Sequence, residues 1–127
     1  MPDSASARMV LVVDDFPESV DVLFALLVER GFTVCLALDG EDAVRQAQAL
    51  QPSAIVMDVA MPRCDGIEAL RRLKADPKTA HIPVVLFSAH AGSELHAIAD
   101  AIGCSAVVKK PTGTNAVVDV VTRLIAA

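Results

Sequence analysis

Tryptophan and tyrosine are absent from this 127-residue chain, and phenylalanine occurs only four times. A site that stacks a flavin ring between aromatic side chains therefore has little to build from. Cysteine is scarce as well. Cys35, Cys64 and Cys104 are odd in number, widely spaced, and form no Cys-x-x-Cys pair. That argues against a disulfide framework and a zinc site, and a reducing cytoplasm is the expected setting. Long apolar runs are missing despite a mean hydropathy of +0.50. Runs such as Met9–Val13 and Ile82–Phe87 are strand-sized and far below the roughly 18 residues of a membrane helix. The first ten residues carry an early acid and no apolar segment, so they do not read as a signal peptide. Basic residues are outnumbered 11 to 16, for a net charge of −5. Such a surface disfavours nucleic acid and anionic membranes as direct partners.

What is present is apolar and patterned. Hydrophobic residues make up 54% of the chain and charged residues 21%, which excludes a disordered or collagen-like chain. Residues 1–8 are small and polar and read as a flexible arm, and residues 9–127 as one folded domain. Short apolar runs alternate with amphipathic stretches. Strands are expected over Met9–Val13, Phe32–Leu36, Ala54–Met57, Ile82–Phe87 and Ser105–Val108. Helices are expected over Glu18–Arg30, Asp39–Leu50, Asp65–Lys74, Ser93–Ala101 and Thr114–Ile125. In the first helix Val20, Leu23, Phe24, Leu27 and Val28 follow helical spacing, and Gly31 stops it. The last helix carries Val117, Val118, Val120 and Val121. Valine is a mediocre helix former, so packing against a core must hold it. Five strand–helix repeats imply an α/β fold, a doubly wound parallel sheet with helices on both faces.

Open sheets of this kind bind ligands beyond the carboxyl ends of the strands, where strand order reverses. For the order 2-1-3-4-5, strands one and three flank that point. Asp14 and Asp15 follow strand one and Asp58 follows strand three. Ser88 and Ala89 follow strand four, and Lys109, Lys110 and Pro111 follow strand five. Clustered carboxylates repel, and a hard divalent cation such as Mg²⁺ relieves the conflict while accepting phosphoryl oxygens. An ammonium and a hydroxyl can hold the remaining phosphoryl oxygens. A carboxylate so placed can act as an in-line nucleophile and form an aspartyl phosphate. Singly, each aspartate has a duller reading as a helix N-cap. That reading serves poorly for all three at one crevice. Alternation along strand five lets only one of Lys109 and Lys110 reach the site.

At these residues the chain resembles the receiver domain of bacterial two-component response regulators, from about Val10 to Ile125. The resemblance rests on four motifs in order. They are Val10-Leu11-Val12-Val13-Asp14-Asp15, the run Ile55-Val56-Met57-Asp58 continuing through Met61-Pro62 to Asp65-Gly66, Ile82-Pro83 through Ser88-Ala89, and Lys109-Lys110-Pro111. It implies a flavodoxin-like receiver fold with sheet order 2-1-3-4-5. It also implies that Asp58 accepts a phosphoryl group from a sensor histidine kinase or a histidine phosphotransfer protein. Asp15 and Asp14 would hold Mg²⁺ together with Asp58 and the Ala60 carbonyl. Lys110 would pair with the phosphoryl group, Ser88 would hydrogen-bond it, and Ala89 and Ala60 would border it. The Lys110–Pro111 bond would be cis, and Gly66 would adopt a conformation only glycine takes easily. Output would run through an unidentified protein bound at the face of helix four, strand five and helix five, from a monomer or a weak phosphorylated dimer. No enzyme activity is expected beyond the domain's own phosphorylation and dephosphorylation. The initiating Met and short arm favour a stand-alone protein over a piece of a larger regulator.

The departures are specific. Val107 stands where the family usually has Tyr or Phe, so a ring that follows the Ser88 hydroxyl cannot operate. Ala60 and His90 occupy positions where the family tunes phosphoryl lifetime; small Ala60 implies open access, and His90 is read as facing solvent. Cys64 is read as inert, and His81, His90 and His96 as surface residues without metal-ligand spacing. Three other readings compete. An aspartyl-phosphate phosphatase would need an Asp-x-Asp nucleophile on strand one, and Asp14-Asp15-Phe16 does not supply it. A flavin module would need a Ser/Thr/Gly-rich phosphate loop where the acidic pair stands. The remaining alternative is a phosphorylation-independent pseudo-receiver that binds partners.

Overall fold

The computed structural model describes residues 8–15, 21–59, 65–89, 92–110 and 114–126. Its strands are β1 Met9–Val13, β2 Thr33–Ala37, β3 Ala54–Met57, β4 Val84–Ser88 and β5 Ala106–Lys109. Its helices are α1 Asp21–Glu29, α2 Gly40–Leu50, α3 Gly66–Ala75, α4 Ser93–Ile102 and α5 Thr114–Ala126. The strands form one parallel sheet in the order 2-1-3-4-5. This is the expected doubly wound α/β architecture.

Strand alternation divides the core in two. Leu11, Val13, Ile55, Met57, Val84 and Leu86 meet the inner faces of α2, α3 and α4. Val10, Val12, Ala54, Val56, Val85 and Phe87 meet α1 and α5. The central strands are buried on both sides, which is why they read as unbroken β-branched runs. The valines of α5 go where packing can hold them. Val117, Val118 and Val121 are fully buried, and Val120 packs against the same cluster.

Several boundaries differ from the sequence expectation for identifiable reasons. β4 starts at Val84, not Ile82. Pro83 has no N–H for the ladder, and Ile82 closes a turn with its N–H on the Thr79 carbonyl at 3.0 Å. Ile82 is buried nonetheless. β2 and β5 each start one residue later than expected, at Thr33 and Ala106. Asp39 and Asp65 are N-caps rather than first helical residues, accepting from the Asp42 and Glu68 N–H groups. In α1 only Leu23 and Leu27 are buried, while Phe24 and Val28 lie on the surface at 39% and 50% exposure. The helix packs into the angle between the sheet and α5, so its buried stripe is narrower than its apolar spacing. Residues 18–20 of the expected helix lie outside the described residues. So do residues 1–7 of the expected arm. Arg8 is held: its guanidinium lies 4.7 Å over the Phe32 ring and donates to the Arg30 carbonyl at 3.1 Å.

Candidate functional site

β1 and β3 pair in register through Val13 and Met57. The residues after them, Asp14 and Asp58, are therefore neighbours at the carboxyl edge. The ladder extends through both: Asp58 N–H donates to the Val13 carbonyl at 2.9 Å, and Asp14 N–H to the Ala37 carbonyl at 3.0 Å. On the other side β4 pairs with β5, Ser88 facing Lys109. Lys110 N–H then donates to the Ser88 carbonyl at 2.9 Å. Each backbone is thus fixed by sheet hydrogen bonds one residue past the strand or at its last residue.

The side chains converge. Carboxylate oxygens of Asp14, Asp15 and Asp58 all lie within 4.8 Å of one another. The Lys110 ammonium donates to Asp14 Oδ2 at 2.6 Å and stands 3.6 Å from Asp58 Oδ2. Asp14 is almost sealed, its side chain 2% exposed, so a carboxylate there needs a partner and has one in Lys110. Asp58 and Lys110 are 13% and 15% exposed, open to a small ligand from the crevice side. Asp15 is exposed. One Asp58 oxygen accepts from the Val59 N–H at 2.8 Å, which fixes the plane of the carboxylate.

Ser88 is buried at the end of β4, and Ala89 after it is exposed. Lys109 points out to solvent, so alternation selects Lys110 as expected. Among the described aspartates the N-caps are Asp39 and Asp65, not the members of this cluster. Ala60, Cys64, His90 and Pro111 lie outside the described residues, and with them the expected carbonyl ligand and the expected cis bond. His81 and His96 are exposed.

Two features escaped the sequence reading. Gly66 is needed for a different reason than expected: its φ is not positive. Its need is space. A Cβ there would stand 2.3 Å from the Asp58 carbonyl oxygen and 2.8 Å from Val59 Cα. The start of α3 is pressed against the backbone of the Asp58 loop, and Gly66 N–H donates to the Val59 carbonyl at 2.8 Å. The second feature is Phe87, buried beneath the site with Lys110 Nζ 5.6 Å from its ring centroid. Its signal was available: strand parity puts Phe87 on the same side as Asp14, Asp58 and Lys110.

A groove of about 490 Å³ runs between α4 and β5, lined by His96, Asp100, Cys104 and Val107 among others. The small Val107 side chain forms part of its wall. The groove follows the first half of β5, on the approach to Lys109, and none of the crevice carboxylates lines it.

Comparison with known proteins gives a consistent picture. Residues 10–122 match the response regulator receiver domain. Response regulator PleD of Caulobacter vibrioides is 46% identical over 84 residues, which is 66% of this chain and 18% of that protein. The chain therefore spans under a fifth of PleD. Protein PilH of Pseudomonas aeruginosa is 38% identical over 77 residues, 61% of this chain and 64% of PilH. Among solved structures, the receiver domain of a sensor histidine kinase from Pseudomonas aeruginosa superposes with a TM-score of 0.84 at 28% identity. The match covers 94% of this chain and 98% of that one, whose structure holds a magnesium ion in its active-site cleft. Chemotaxis protein CheY4 of Vibrio cholerae, at 24% identity and a TM-score of 0.84 over 92% of this chain and 98% of its own, shares the fold.

Proposed function

This chain belongs to the response regulator receiver domain family, and from that membership we propose that it takes a phosphoryl group on Asp58 from a phosphohistidine. The observation that carries the reading is Lys110, set 2.6 Å from Asp14 and 3.6 Å from Asp58 in a crevice of three carboxylates. An oxygen of Asp58 forms the new O–P bond as the P–N bond to the donor imidazole breaks, and the electron pair returns to that nitrogen. The Val59 N–H holds the Asp58 carboxylate in one plane during attack. The Lys110 ammonium lies close enough to Asp58 to pair with a transferred phosphoryl oxygen. Ser88, the last residue of β4, would donate its hydroxyl to another.

The donor set suits Mg²⁺. Three carboxylates within 4.8 Å present hard oxygen ligands from three residues. Asp14, Asp15 and Asp58 would hold the ion, which when bound offsets the negative charge gathered on the phosphoryl oxygens. The donor is a sensor histidine kinase or a phosphotransfer protein. The output is a protein partner at the face of α4, β5 and α5, where the groove beside Val107 lies. The domain acts by binding and not by turnover of a separate substrate. No described helix is long and apolar enough to cross a membrane.

The test is intact-protein mass after incubation with Mg²⁺ and acetyl phosphate. The wild type is expected to gain one phosphoryl group and Asp58→Asn none. A wild type that binds Mg²⁺ yet takes no phosphoryl group, even from a phosphorylated kinase domain, would establish the pseudo-receiver reading instead.

A further inference from the structure

Phe87 does something that its place in the core does not require. Its neighbours on that side of the sheet, Val85 and Val56, and its register partner Val108 are all aliphatic. An aliphatic side chain at position 87 would fill the same cluster. The aromatic ring adds a face of negative potential, and the Lys110 ammonium lies 5.6 Å from its centroid. Both groups are shielded: Phe87 is 3% exposed and the lysine side chain 15%. Shielding strengthens such an attraction.

We propose that Phe87 is a positioning residue for Lys110, its ring holding the ammonium within the crevice between Asp14 and Asp58. The functional part of this inference rests on the phosphoacceptor reading of the same site. The 2.6 Å contact with Asp14 is the shorter of the two ion pairs and on its own draws the ammonium away from Asp58. Attraction to a ring face is broad and weakly directional, unlike a hydrogen bond. The ammonium can therefore move from the Asp14 side toward a phosphoryl group on Asp58 without leaving the ring. The same ring packs in the cluster that contains Val117, Val118 and Val121 of α5. A shift of Lys110 is thus felt by a side chain in contact with the α5 side of the core.

The experiment replaces the ring's charge distribution while keeping its shape. Phenylalanine analogues with one, two and three ring fluorines are introduced at position 87, beside Phe87→Leu. The rate of phosphorylation by acetyl phosphate with Mg²⁺ is expected to fall stepwise with fluorine number. Phe87→Leu is expected to lose about three- to thirty-fold, the range for a shielded cation–ring contact. A flat fluorine series would overturn the proposal, even with Phe87→Leu slow, because a space-filling role ignores ring charge. A double-mutant cycle with Phe87→Leu and Lys110→Met, read by urea unfolding, tests the contact without phosphorylation. Coupling in the unfolding equilibrium of a similar fold-change supports the contact, and none refutes it. If the wild type takes no phosphoryl group, the phosphoacceptor reading fails on its own, and the cycle still decides whether Phe87 holds Lys110.

Discussion

Lys110 and Cys104 show how differently two half-buried polar groups can be accommodated. Lys110 is satisfied by charge, between Asp14, Asp58 and a ring face. Cys104 is satisfied by backbone, its Sγ within 2.9 Å of the Ala106 carbonyl and 3.2 Å of the Val84 carbonyl. Burial pushes its thiol pKa up from an ordinary 9.0, only partly opposed by backbone hydrogen bonds. A raised pKa means that the folded chain keeps the proton after the unfolded chain has lost it. Its share of stability is then complete below pH 9 and lost as pH rises through the folded value. Burial also lowers Lys74, which acts in the alkaline range with the opposite sign and remains in both proteins compared. Urea unfolding of Cys104→Ala and wild type is expected to give a constant stability gap below pH 8. Above pH 9 the gap should shift in favour of Cys104→Ala; a pH-independent gap would show that the buried thiol is not the titrating group. The raised pKa also makes this thiol a poor nucleophile.

At the scale of elements, the entry to α3 carries the tightest constraint on the site. Asp65 caps the helix by accepting from Glu68 N–H at 2.9 Å, and Gly66 lets its first turn touch the Asp58 loop. Gly66→Ala must move backbone, and is expected to cost about 1–3 kcal/mol as overpacking does. Gly92→Ala, where a Cβ meets nothing within 4 Å, serves as the control and should cost no more than about 1 kcal/mol. Equal losses in thermal or urea unfolding would remove the close approach as the reason for glycine at 66. These two glycines also mark what a sequence can convey. The order of strands and helices was legible because strands buried on both faces must be apolar runs and surface helices must repeat near every 3.6 residues. The gathering of Asp14, Asp15, Asp58 and Lys110 was legible because a parallel sheet sends every strand end to one edge. The true use of Gly66 was not, since crowding by a backbone distant by eight residues leaves no periodic trace. Nor was the surface placement of Phe24 and Val28, which depends on the width of the cleft that receives α1. β4 begins two residues after the start of its apolar run, because Ile82 is apolar for burial while Pro83 withholds it from the ladder.

For the whole molecule, a cation held in the three-carboxylate crevice would couple its binding to folding, because an unfolded chain scatters the ligands. Mg²⁺ at a hundred times its dissociation constant is expected to add about 2.7 kcal/mol of stability. For a domain of this size that raises Tm by roughly 10 °C. Asp15→Asn should lose most of that rise, and a wild-type Tm unmoved by Mg²⁺ at fixed ionic strength would count against the site as a cation site. The molecule has a second edge. Arg8 leads into β1 there, tied to the Arg30 carbonyl, and Arg30 in turn pairs with Asp119 and Thr122 of α5. α5 runs back from the carboxyl edge, so both ends of the folded unit leave from the side where the strands begin. A five-residue strand, about 16 Å long, separates that side from the acidic crevice. Polypeptide joined to the described unit at Arg8 or Ala126, or a solid support coupled there, would attach on the side opposite the crevice. Such a unit can be strung into longer chains or spread on a sensor surface without its neighbours casting a shadow on the chemistry.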